Sequence, residues 1–219
     1  MIEPAVVTRR RHEDDTALVL DMLFVQAYKA HVSVRYLVEL GHMEDAATIT
    51  RRLLELATTS GYIGTADPPS NALGRARRFL ADLWLDLPTE ARSVLPLNAQ
   101  NYWNDLVGKT PRGALPSFQK MFSVLGHQGT YGDDYSILAR VAHGASSDQL
   151  VAFARNTVPV RPLDHLGPVL AFASRYALAT ADVWNGTFHV IDAAALQNVA
   201  IALAAWPSSD NLVLGPEAA

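Results

Sequence analysis

The chain has 219 residues, 49% hydrophobic, 18% charged and 8% aromatic, which excludes collagen-like and disordered classes and leaves one globular domain with a sizeable core. The absence of cysteine removes disulfide scaffolds, thiol nucleophiles, thiolate zinc sites and cysteine-held iron–sulfur clusters, and suits a reducing cytoplasm. Eighteen basic residues against 22 acidic give a net charge of −4 and a pI near 5.9, so no global field draws the chain onto nucleic acid or an anionic membrane.

Residues 1–13 read as a flexible arm, in which Arg9, Arg10 and Arg11 are offset by Glu13, Asp14 and Asp15 just beyond. Over 16–40, Leu18, Met22, Val25, Ala30, Val34 and Leu37 recur mostly at steps of three and four. This predicts a long amphipathic helix with acids at its N-terminus and Gly41 at its end. A second helix over 44–62 follows after only Gly41 and His42, so the two form an antiparallel hairpin. Asp67, Pro68, Pro69 and Ser70 break the chain before a third helix over 71–87, which Pro88 ends.

Pro96, Pro111 and Pro116 fence helices around 99–107 and 117–125, and a glycine-containing linker over 126–132 leads to a shorter helix from Asp133 or Asp134 to about 142. Residues 149–160 are the one segment with extended character, bounded by Pro159 and Pro162. Helices over 163–185 and 191–206 close the core, and 207–219 form a tail. The expected fold is all-α: a single-domain helical bundle over 14–206, of about seven helices, with an N-terminal antiparallel helix hairpin.

The opening residues lack the basic and apolar tract of a secretory signal. The most lipid-like stretches, 169–184 and 193–206, fall short of the roughly 20 residues a spanning helix needs. A cytoplasmic protein with no membrane partner is therefore expected.

Most catalytic motifs fail. Gly108-Lys109-Thr110 resembles the end of a phosphate loop, but Trp103 stands where the first glycine belongs. Neither a dinucleotide-type glycine motif nor a nucleophile elbow occurs, and the seven histidines contain no His-Glu-x-x-His, so no metal or cofactor is expected. Arg75, Arg78, Asp82 and Asp86 share one side of the third helix, which reads as a solvated face with an Arg78–Asp82 ion pair at i,i+4.

The second helix is more informative. Ile49, Leu53, Leu56 and Ile63 mark its apolar stripe, and Arg52 falls about 60° from the stripe's centre while Arg51 points away. Arg52 is thus expected to be partly buried with Glu55 as its partner, either as a structural ion pair locking the hairpin or as an anion-binding arginine lining a cleft. On the helix near 134–142, Tyr135 sits at the edge of an apolar side, and Ser136, Arg140 and His143 cluster opposite. His143 beside Gly144 is either a cap at a helix C-terminus or a general acid or base.

The run from Leu37 through Gly41 and His42 to Arg51, Arg52 and Glu55, followed later by Tyr135 and His143, resembles the signature of a widespread bacterial all-helical family of unknown function. That family carries Arg-x-x-Glu and then Tyr-x-x-x-Ser-x-x-x-His, and in outline it looks like the HEPN helical domains of toxins and defence systems. Ala139 stands at the family's serine position, which puts serine-dependent chemistry in doubt. The resemblance implies a metal-independent ribonuclease or nucleotide-binding protein, with Arg52 on a phosphate, His143 as acid or base, and Tyr135 and Glu55 orienting them. Arg35 and His42 also meet the Arg-x(4–6)-His spacing of HEPN sites. The alternative is a non-catalytic helical module that binds a protein partner or a second copy, its Arg/Glu/His network purely structural; a small-molecule pocket between helices is a third reading.

Overall fold

The computed structural model describes residues 14–110, 115–130, 134–135, 138 and 166–204. The expected arm, the tail, the extended segment at 149–160, most of the helix at 133–142, and Ser136, Ala139, Arg140 and His143 lie outside the described residues.

Eight helices and no strand occur among the described residues, in keeping with the all-α expectation: α1 (Asp15–Glu39), α2 (Met43–Gly64), α3 (Pro69–Asp86), α4 (Thr89–Ser93), α5 (Leu97–Lys109), α6 (Phe118–Val124), α7 (Leu166–Phe188) and α8 (Ala193–Ala204). One further turn of helix covers Gln128–Thr130. The Asp14 carboxylate caps α1 by accepting the Ala17 N–H at 2.8 Å, and Ser117 does the same for α6 through Lys120 N–H at 3.4 Å. Gly41, at φ 79°, makes the tight turn from α1 into α2, a conformation that favours glycine. The hairpin forms as expected, with Gly64 at the end of α2 lying beside Leu20 near the start of α1.

The core is a three-helix centre of α1, α2 and α7; α3 packs on α1 and α2, α5 on α3, α6 on α2, and α8 on α7. Val19, Leu20, Leu23 and Val34 of α1, Leu53, Leu56 and Ile63 of α2, and Trp184 of α7 are fully buried in it. The Trp184 indole stacks on Phe24 at 4.4 Å between ring centres and donates from Nε1 to Asp21 Oδ1 at 3.1 Å. Surrounded by four helices, α2 is buried on more than one side, including Thr50, Thr58 and Thr59. Their hydroxyls donate to the carbonyls four residues back, at 2.8 Å in each case, so these polar groups enter the core satisfied.

Among the described residues α1 is the helix long and apolar enough to cross a membrane, rather than either stretch picked out by composition. In this fold it is a core helix, and a core helix meets the same length and hydropathy test.

Candidate functional site

The polar cluster forms on the side of α2 that faces residues 134 and 135. Arg51 Nη2 donates to the Tyr135 hydroxyl at 2.9 Å, Arg51 Nε lies 3.3 Å from Glu55 Oε1, and the guanidinium carbon is 4.9 Å from the Tyr135 ring centre. The Arg51 and Glu55 side chains are only 23% and 15% exposed, so this ion pair is largely withdrawn from water. The other carboxylate oxygen, Glu55 Oε2, lies 3.4 Å from Arg52 Nη1. Arg52 reaches Gln26 Oε1 of α1 with Nη2, also at 3.4 Å, and its side chain is 56% exposed.

This corrects the sequence reading of the two arginines. Glu55 does pair with Arg52, but Arg51 is the buried partner and Arg52 lies at the surface. The helical wheel recognised the stripe of Ile49, Leu53, Leu56 and Ile63. It could not register a second buried line, Ala47, Leu54, Thr58 and Tyr62, on whose side Arg51 lies. That line is polar enough in sequence to look solvated; it is buried because further elements cover it.

Tyr135 also approaches Phe118 of α6, with ring centres 6.1 Å apart, and the adjacent Asp134 accepts a short hydrogen bond from the Tyr176 hydroxyl of α7. Burial first, and then the Asp134 carboxylate, push the Tyr176 hydroxyl well above the usual phenol range, so it stays protonated as a donor. Residues 134 and 135 are thus pinned on one side to α2 and on the other to α7. Arg52, Glu55 and Tyr135 therefore belong to one neighbourhood with Arg51 at its centre, while His143 lies outside the described residues.

The Arg35 and His42 pair does not assemble. Arg35 Nε binds Glu39 Oε1 at 2.9 Å on the surface of α1, His42 is exposed in the turn, and no hydrogen bond joins the two.

Among the contacts between core helices that the sequence reading missed, one involves a histidine. His31 Nε2 of α1 lies 3.0 Å from Ser174 Oγ of α7, half-buried; desolvation, with Arg35 one turn along as a lesser cause, lowers the imidazole's proton affinity. The available signal was position 31, on the face of α1 between buried Ala27 and Val34. Among the described residues no group of three His, Asp or Glu side chains converges to hold a metal ion. No family model, curated protein or solved structure matches the chain.

Proposed function

We propose that the protein is a HEPN-like helical protein acting in the cytoplasm on RNA or a nucleotide, with the exposed edge of the Arg51/Arg52/Glu55/Tyr135 cluster as its phosphate contact. The observation that carries this reading is that one carboxylate serves two guanidiniums. Glu55 Oε1 faces Arg51 and Glu55 Oε2 faces Arg52, and Arg52 is exposed and, among the described residues, held through 3.4 Å contacts. An arginine in that state exchanges its weak partners for phosphate oxygens at small cost. Arg51, fixed by Glu55 and Tyr135, holds the local geometry.

Cleavage would need His143 as general acid or base, a role that rests on the family resemblance. In metal-free RNA cleavage the 2′-hydroxyl attacks phosphorus and the 5′-oxygen leaves, so a base, an acid and a cation for the developing charge suffice. The overall charge of −4 favours short or mononucleotide ligands over tight binding of long RNA.

A second reading has its own support. Helix α8 buries only Leu196 among its described side chains and exposes Val199 and Ile201, 49% and 60% exposed respectively. This favours a non-catalytic module with a protein partner or a second copy, in which the α2 cluster is a structural clamp. Arg52→Ala separates the readings. The first expects at least a tenfold loss of nucleotide affinity or RNA cleavage with little change in thermal stability, since tenfold corresponds to about 1.4 kcal/mol. Undiminished binding in Arg52→Ala, or a wild-type chain that binds no nucleotide, would leave the structural clamp.

A further inference from the structure

The corner where α3 passes through α4 into α5 exposes large aliphatic side chains on a fixed frame. Leu85 and Leu87 at the end of α3 are exposed, and Val94 and Leu97, between α4 and the start of α5, are 81% and 71% exposed. Side chains bonded to backbone carbonyls hold this corner in shape. Arg92 Nε donates to the Leu87 carbonyl at 2.8 Å and Nη2 to the Leu85 carbonyl at 3.1 Å, and its guanidinium carbon lies 5.6 Å from the ring centre of buried Trp84. Gln100 Nε2 of α5 donates to the Leu95 carbonyl at 2.7 Å. One arginine thus gathers the end of α3 beside α4, and one glutamine ties α5 to the same turn.

The charges here are lopsided. From Asp82 to Asn104 the chain carries three acids, Asp82, Asp86 and Glu90, against Arg92 alone. The sequence expects Asp82 to pair with Arg78, but no ion pair joins them; Asp82 Oδ2 instead accepts the Leu115 N–H at 3.0 Å. Of the arginines on α3, Arg77 binds Asp15 at 2.8 Å, and Arg75 and Arg78, on the side of Asp86, stand more than two turns before it. Asp86 and Glu90 are exposed, and among the described residues their carboxylates enter no ion pair. Asp86 also ends α3, where the helix dipole disfavours a carboxylate, and no basic residue lies in that last turn.

We propose that this corner is a docking surface for a basic amphipathic segment of a partner protein, which sets apolar side chains on Val94 and Leu97 and Lys or Arg beside Asp86 and Glu90. Aliphatic groups facing water on a held backbone gain by burial against another surface and need little further ordering to do so. The two unpaired carboxylates reward a basic partner and reject an acidic one. A symmetric pairing of two copies through this corner would set the same acids against one another. This surface is separate from the α2 cluster and from α8 and depends on neither.

The probe is a synthetic helical peptide of leucine and lysine, with a leucine and glutamate peptide of the same pattern as control, each titrated into the nitrogen-15-labelled full chain at one ionic strength. The expected result is a saturating shift of the Val94 and Leu97 N–H signals with the lysine peptide, at least about fivefold tighter than with the glutamate peptide. Val94→Ser with Leu97→Ser should weaken that binding, Asp86→Asn with Glu90→Gln should shrink the preference between the peptides, and Arg52→Ala should leave both unchanged. All four side chains are exposed, so each double variant should melt as the wild type does. Equal affinity for the two peptides, or a full preference kept in Asp86→Asn with Glu90→Gln, would overturn the basic partner. Shifts that avoid this corner, or binding undiminished in Val94→Ser with Leu97→Ser, would overturn the surface. Shifts at Val94 that follow the concentration of the chain alone would overturn the partner in favour of a second copy.

Discussion

Adjacent arginines on α2 should differ sharply in what they contribute to stability. Arg51→Ala removes a hydrogen bond from a charged donor to the Tyr135 hydroxyl at 2.9 Å and the 3.3 Å ion pair with Glu55, both largely withdrawn from water. A charge-assisted hydrogen bond contributes about 1.5–3 kcal/mol, and breaking a fully buried ion pair costs about 3–5 kcal/mol. The Arg51 side chain remains 23% exposed and Glu55 keeps Arg52 as a neighbour, which discounts the total to about 2–3 kcal/mol. Arg52→Ala removes an exposed pair with 3.4 Å contacts, for which about 0.2–1 kcal/mol is appropriate. In a domain of this size each kcal/mol moves Tm by about 2–4 °C. Thermal melts followed by circular dichroism should therefore fall by about 4–12 °C for Arg51→Ala and by less than about 4 °C for Arg52→Ala. Urea midpoints provide the equilibrium check. If Arg52→Ala costs as much as Arg51→Ala, the assignment of Arg51 as the buried partner is wrong.

Three further outcomes are expected. His31 has a folded-state proton affinity below its unfolded value of 6.5, so its contribution is fully present above that pH and is lost as pH falls through 6.5 toward the folded value; His31→Gln should weaken the decline in urea midpoint between pH 7.5 and 5.5, and an unchanged slope would contradict this. Tyr176→Phe deletes the donor to Asp134 and should cost about 1–3 kcal/mol, while the phenol absorbance gained through the ordinary tyrosine range stays the same, because burial and then the Asp134 carboxylate hold the Tyr176 hydroxyl above that range. A Cβ on Gly64 would run into Val183 Cγ1, so Gly64→Ala should destabilise by about 1 kcal/mol alone; in a Val183→Ala background it should stabilise, since helix propensity then acts without the clash, and equal effects in both backgrounds would show that the contact is not strained.

Much of the α2 cluster is legible in the sequence. The spacing of Glu55 after Arg52 puts the two side by side, as found, and the resemblance to the helical family points to Tyr135. Two local inferences failed for a shared reason. Arg78 and Asp82 have ideal i,i+4 spacing, but a backbone N–H arriving from Leu115, more than thirty residues along the chain, takes the carboxylate. Arg51 points away from the main apolar stripe, but Tyr135, eighty-four residues on, covers it. His31 and Ser174 meet across 143 positions, a pairing that no local pattern announces.

The sequence by itself determined the longer helices of the described residues, the breaks between them and the hairpin of α1 and α2, though not the short α4, because periodicity, glycine and proline act within a few residues. Only the tertiary structure decided which charges are buried and which acid Arg51, Arg52 and Arg77 find. Burial and pairing depend on what packs against a helix from outside it, and α2, enclosed by α1, α3, α6 and α7, buries a second line beside the apolar stripe that its own sequence marks.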